Sequence, residues 1–313
     1  MARAFTFPGQ GSQTVGMGKD LSDSFKSARE LFEEIDEALK QNLSRLMWQG
    51  PAEELQLTEN AQPALMAVSL AVMRVLEREA GFNLASKVKF VAGHSLGEYS
   101  ALAAASAMGV ADTARLLKLR GQSMQKAVPV GQGAMAALLG ADLDTAKASA
   151  AEGAKTGVCQ VANDNAPGQV VISGAVAAVE AAIAAAKARG VKRAMMLPVS
   201  APFHCALMQP AADAMQEALA AISLNDPLAP LIANVTASPV DDSEEIRRLL
   251  VTQVTGLVRW RESVEYLAAN GVDTVVEVGA GKVLSGMAKR INPDLAVLNI
   301  SSPQELDAFV KAV

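Results

Sequence analysis

The run Gly93-His94-Ser95-Leu96-Gly97 constrains the fold of this chain more than any other feature, because an apolar stretch, 87–92, leads into it and a helix-forming stretch, 98–107, leads out. A serine between two glycines at a strand-to-helix turn is the G-x-S-x-G arrangement in the context it requires. The turn is too tight for flanking side chains, and it lifts the serine hydroxyl off the end of a sheet. A turn of this kind belongs to a largely parallel sheet with helices packed on it. At the start of the helix, the backbone N–H of Leu96 is expected to point toward an acyl oxygen, where it can stabilise a tetrahedral oxyanion. Serine is also a favoured helix N-cap, so a purely structural role for Ser95 stays open at this level.

A serine hydroxyl is a weak nucleophile until a base takes its proton, and the chain holds only two histidines. His94 adjoins Ser95 in the turn, where successive side chains diverge, and reads as a histidine packed behind it. His204, in Ala201-Pro202-Phe203-His204-Cys205, follows the serine in the chain order of α/β-hydrolases and is the candidate base. An orienting acid is not evident. Asp142, Asp144 and Asp164 fall between the two residues but in a region with a different pattern, so a backbone or amide oxygen can stand in for the carboxylate.

That region is residues 131–199. It reads strand 134–139, helix 143–151, strands 158–161 and 169–173, helix 177–188, strand 193–199, and the order βαββαβ predicts a ferredoxin-like subdomain inserted into the larger unit. Residues 1–130 and 200–313 are assigned to that larger, α/β-hydrolase-like unit. Its expected elements are strand 3–7, helices 20–40 and 62–80, strand 87–92, helix 213–221, strand 231–235, helix 264–269 and strand 274–278.

Composition narrows the function classes. Half of the 313 residues are apolar, enough for a substantial core. Two cysteines, Cys159 and Cys205, give neither a disulfide framework nor a metal-ligand spacing, so no metal is expected. The net charge of -5 disfavours nucleic acid as a partner. No apolar run reaches membrane-spanning length and no signal segment is evident, which predicts a cytoplasmic protein with no membrane association. Gly11 to Gly18 lacks the Lys-Ser/Thr end of a P-loop, and Gly279-Ala280-Gly281-Lys282 is followed by too little chain for a dinucleotide fold; both read as tight turns.

With these residues in hand, the chain resembles the malonyl-CoA:acyl carrier protein transacylases and the acyltransferase domains of fatty-acid and polyketide synthases. The resemblance rests on Phe7-Pro8-Gly9-Gln10-Gly11-Ser12-Gln13, the serine turn with Glu98-Tyr99, Arg120, Pro202-Phe203-His204, Asn234-Val235-Thr236, Gln253 and Val258-Arg259-Trp260. It implies the two-subdomain fold inferred above and a set of roles. Ser95 forms the acyl-enzyme, His204 is its base, and the backbone carbonyl of Gln253 orients the histidine. Gln10 and Leu96 supply oxyanion N–H groups, and Arg120 binds the free malonyl carboxylate. Phe203 resembles the bulky residue of malonyl-selective relatives. Ala280 and Leu257 depart from prolines common in their motifs, and Cys205 stands where serine is frequent.

The resemblance therefore implies transfer of malonyl from malonyl-CoA to the phosphopantetheine thiol of acyl carrier protein, without a cofactor, by a monomer. A carrier protein of this kind is acidic and needs a local positive patch on an enzyme that is itself negative. Lys187, Arg189, Lys192 and Arg193 form one candidate cluster, and Lys282, Lys289 and Arg290 another; the adjacent pair Lys289 and Arg290 is the preferred one. A hydrolase with the same serine turn, and a binding module with a vestigial site, remain the alternatives.

Overall fold

The computed structural model describes residues 2–312. Ten strands form two sheets: β1 (Arg3–Phe7), β2 (Phe90–Gly93), β3 (Gly133–Leu139), β4 (Cys159–Ala166), β5 (Gln169–Ala175), β6 (Arg193–Met196), β7 (Leu231–Ala233), β8 (Ser238–Val240), β9 (Thr274–Val278) and β10 (Ala296–Ile300). The larger sheet runs β10-β9-β1-β2-β7-β8, parallel except at the β8 edge. Its inner strands β1, β2, β7 and β9 are buried on both faces because helices cover both. Phe5, Phe7, Val91 and Val276 enter one core, whereas Ala4, Phe90, Ala92 and Val275 enter the other, as the two-residue strand period requires. Helix Thr58–Arg78 is buried on nearly every side in the first core, and helix Trp260–Ala269 packs in the second.

The smaller sheet is antiparallel in the order β4-β5-β3-β6, the ferredoxin-like arrangement. Helices Leu143–Gly153 and Val176–Ala188 cover one of its faces through Ala146, Ala150, Ala178 and Ala182. Small side chains let them approach closely: a Cβ on Gly153 would lie 2.3 Å from the Ala178 carbonyl oxygen. The other face presents Met135 and Val171 to the large unit. The two units are joined where Val258 exchanges backbone hydrogen bonds with Ala162 and Asp164 at 2.9 Å each, and where Arg261 pairs with Asp164.

The fold class is thus the expected one, with local differences. The helix expected over 20–40 is two, Lys19–Ser24 and Lys26–Leu39, because Phe25 is extended. Residues 84–87 close a short helix before β2. β6 stops at Met196, two residues before Pro198, which has no N–H for a ladder. Strand β4 runs on to Ala166 through two register irregularities. Among the described residues no helix is long and apolar enough to cross a membrane.

Candidate active site

The serine turn is built as its glycines require. A Cβ on Gly93 would fall 1.9 Å from the Gly97 carbonyl carbon, and one on Gly97 would fall 2.2 Å from the Phe7 carbonyl oxygen, so β1, the turn and helix Gly97–Ala104 meet only without side chains there. Ser95 itself holds left-handed backbone, φ 54°. Asn234, just past β7, braces that strained residue: its Oδ1 accepts the Ser95 N–H at 2.8 Å, and its Nδ2 donates to the Gly93 carbonyl at 2.7 Å.

His204 arrives from the other side of the chain, also with left-handed backbone, φ 59°. Its Nε2 lies 2.8 Å from Ser95 Oγ, and its Nδ1 lies 2.9 Å from the Gln253 carbonyl oxygen. A carbonyl only accepts, so Nδ1 carries the proton and Nε2 presents its lone pair to the serine hydroxyl. Burial, followed by the charge of Arg120, lowers the His204 pKa to about 3, against the pull of the Gln253 carbonyl. The imidazole is neutral, the form a general base needs.

Arg120, on helix Val110–Ala127, is 1% exposed. Its Nη1 donates to Gln62 Oε1 at 2.8 Å, and its Nη2 donates to Gln253 Oε1 at 2.8 Å and to Ser95 Oγ at 3.2 Å. Its Nε has no hydrogen-bond partner among the described residues, and its guanidinium carbon lies 5.7 Å from the Tyr99 ring centre. Among the described residues no carboxylate stands within ion-pair distance of it. Burial lowers its pKa, while Tyr99 and Glu98 act the other way. Glu98, 1% exposed, accepts the Asn234 N–H on one oxygen and the Gln253 side-chain amide on the other. Burial pushes its carboxyl up to about 8, against these two donors and Arg120.

Ser95, His204, Arg120 and Gln62 border a cavity of about 420 Å³ between the two units. Gln10, Leu96, Phe203 and His204 line it with Ser95 and Arg120. Gln10 is exposed, its side chain accepting from Thr58 Oγ1 at 2.9 Å, whereas Leu96 is buried. The backbone N–H groups of both find no acceptor among the described residues. Phe203 is 9% exposed and forms part of the apolar wall.

Lys289 and Arg290 do not line the cavity. They end helix Val283–Ile291, whose first turn, Val283 and Leu284, does. Lys289 Nζ lies 3.2 Å from the Pro293 carbonyl, while Arg290 spans the two units, donating to Gln169 Oε1 at 2.6 Å and to the Pro167 carbonyl at 3.0 Å.

His94 differs from its sequence reading. It faces the cavity rather than packing behind the turn, and its Nε2 lies 2.8 Å from Asn165 Oδ1. Sequence reasoning also assigned no role to Asn234, Glu98, Gln62 or the Gln253 side chain, although the first two stand in motifs that carried the resemblance. Among the described residues no group of three His, Cys, Asp or Glu side chains could hold a metal ion.

The acyl transferase domain family matches residues 4–292. The malonyl CoA-acyl carrier protein transacylase of Escherichia coli (strain K12) is 49% identical over 309 residues, covering 98% of each chain. Among solved structures, the acyl-carrier-protein-S-malonyltransferase from Bartonella henselae is 56% identical at a TM-score of 0.97, covering 100% of this chain and 99% of that one. A type II PKS acyl-carrier protein in complex with its malonyl-transacylase gives 41% identity and a TM-score of 0.96 over 100% of each chain.

Proposed function

The chain belongs to the acyl transferase domain family, and on that premise we propose that it moves malonyl from coenzyme A to the phosphopantetheine thiol of acyl carrier protein through a Ser95 acyl-enzyme. The serine hydroxyl attacks the thioester carbonyl as His204 Nε2 takes its proton. The N–H groups of Leu96 and Gln10 stabilise the resulting oxyanion. Collapse breaks the C–S bond, and the imidazolium returns the proton to the departing coenzyme A thiolate. In the second half, the carrier thiol gives its proton to His204 and attacks the ester, and Ser95 Oγ leaves with that proton. The Gln253 carbonyl keeps the tautomer correct in both directions.

One observation carries the choice of acyl group: Arg120 is a buried cation beside the nucleophile with no carboxylate in contact among the described residues. A buried charge needs a partner, and the fork of a guanidinium fits a carboxylate. A malonyl group brings that carboxylate, and by offsetting the Arg120 charge it also relieves part of the pressure that holds His204 a weak base. An acetyl group does neither.

Residues 1–130 and 200–313 form the catalytic unit in this reading, and 131–199 the smaller one. Lys289 and Arg290 belong to the carrier-protein surface. In this reading the working unit is a monomer and the compartment is the cytoplasm. No cofactor is needed beyond the malonyl thioester and the carrier-protein thiol.

The test is Arg120→Ala assayed with malonyl-CoA and acetyl-CoA. The kcat/KM for malonyl-CoA should fall about a hundredfold more than that for acetyl-CoA, on the order of 3 kcal/mol for one lost partner of a buried charge pair. Equal losses would make Arg120 a structural residue or a coenzyme A contact.

A further inference from the structure

Gln253 is fully buried, and its side-chain amide has a donating end and an accepting end that are both in use. Nε2 donates to the Ser95 carbonyl at 2.8 Å and to Glu98; Oε1 accepts from Arg120. The surroundings allow only this orientation. The Ser95 carbonyl cannot donate and a guanidinium cannot accept, so the amide is held by an acceptor pair on one side and a donor on the other. Glu98 is the member of that pair whose chemistry a single substitution can invert. It touches neither the cavity nor a cation directly, and its second oxygen is fixed by the Asn234 N–H.

We infer that Glu98 is a specificity-determining positioning residue: by accepting from the Gln253 amide it keeps the amide oxygen on Arg120 and so aims the guanidinium at the place where the acyl carboxylate binds. The inference rests on the reading of Arg120 as the carboxylate contact. In Glu98→Gln, one end of the new amide must face the Asn234 N–H with its oxygen, which turns its NH2 toward the NH2 of Gln253. Rotating Gln253 removes that conflict but points a donor at Arg120, which has only donors. The first arrangement pushes Gln253 off the contact that seats its oxygen on the Arg120 Nη2 that reaches Ser95, and the second abolishes that contact.

The experiment compares kcat/KM for malonyl-CoA and acetyl-CoA in Glu98→Gln, Gln253→Ala and the double variant, with Arg120→Ala alongside. Gln253→Ala cuts the link yet leaves the main-chain carbonyl that holds His204. Glu98→Gln and Gln253→Ala should each lower the malonyl-to-acetyl ratio by about tenfold or more. The double variant should show the ratio of Gln253→Ala alone, because Glu98 acts only through that side chain. An unchanged ratio in Gln253→Ala, equal loss of both substrates in a folded Glu98→Gln, or additive effects in the double variant would overturn the inference. Should Glu98→Gln fail to fold, the ratio in Gln253→Ala decides. If Arg120→Ala itself leaves the ratio unchanged, the functional reading of Arg120 fails; if only the Arg120 variant lowers it, this inference alone fails.

Discussion

Ser95 Oγ and His204 Nε2 meet at 2.8 Å across 109 residues of chain, and both residues hold left-handed backbone. Left-handed φ is uncommon for any residue other than glycine, and it persists only where the surroundings over-determine it. For Ser95 the surroundings are the Asn234 side chain and the two glycines; for His204 they include the Gln253 carbonyl. The pair is therefore set in place before a substrate arrives, which is what a proton transfer in both directions needs.

The depressed pKa of His204 sets the pH response. Its folded pKa, about 3, lies below the ordinary value of 6.5, so the neutral imidazole is present throughout the range between them and disappears only as pH falls toward about 3. The rate of Ser95 acylation by a malonyl thioester lacking phosphate groups should show no acid limb near 6.5. The same shift makes the His204 contribution to stability complete above 6.5 and progressively lost below it, since the unfolded chain takes up the proton first. Stopped-flow acylation rates between pH 5 and 8 check the first statement, and an inflection at 6.5 would contradict it.

Phe203 walls the cavity next to the base, and its bulk is expected to exclude an α-methyl group. Phe203→Ser should raise the kcat/KM for methylmalonyl-CoA relative to malonyl-CoA by about tenfold, the range that one methylene-sized change in a pocket commands. An unchanged ratio would remove the steric account.

Lys289 and Arg290 separate in their expected effects. Lys289→Glu should raise KM for carrier protein severalfold, more so at low salt, and leave acylation by malonyl-CoA unchanged. Arg290→Glu also breaks the contacts to Gln169 and Pro167 that join the two units, so it should lower both half-reactions and the melting temperature. Paired half-reaction assays distinguish them, and no change in carrier KM for Lys289→Glu would take that residue off the docking surface.

Much of this was legible in the sequence, for reasons that differ by residue. Ser95 announces itself because the turn's sterics demand both glycines, and His204 stood out because the chain has so few histidines. The β-α alternation and the βαββαβ order carry the fold class through their periodicity. Arg120 has no such signature: on helix Val110–Ala127 it looks like any basic residue, and only the resemblance gave it a role. Gln253 orients the base with a backbone carbonyl, which any residue type supplies, and its helix, Ser243–Thr255, went unread. The Asn234, Glu98 and Gln253 cluster joins elements more than a hundred residues apart, a juxtaposition that local spacing does not encode.

The central claim is a covalent malonyl ester on one serine. Intact-mass measurement after mixing the protein with malonyl-CoA, followed by peptide mapping, should give a single malonyl adduct on the peptide that contains Ser95. The adduct should be absent in Ser95→Ala and should form several orders of magnitude more slowly in His204→Ala, because nucleophile and base act as a unit. An adduct on another residue, or one forming at the native rate in either folded variant, would contradict the account.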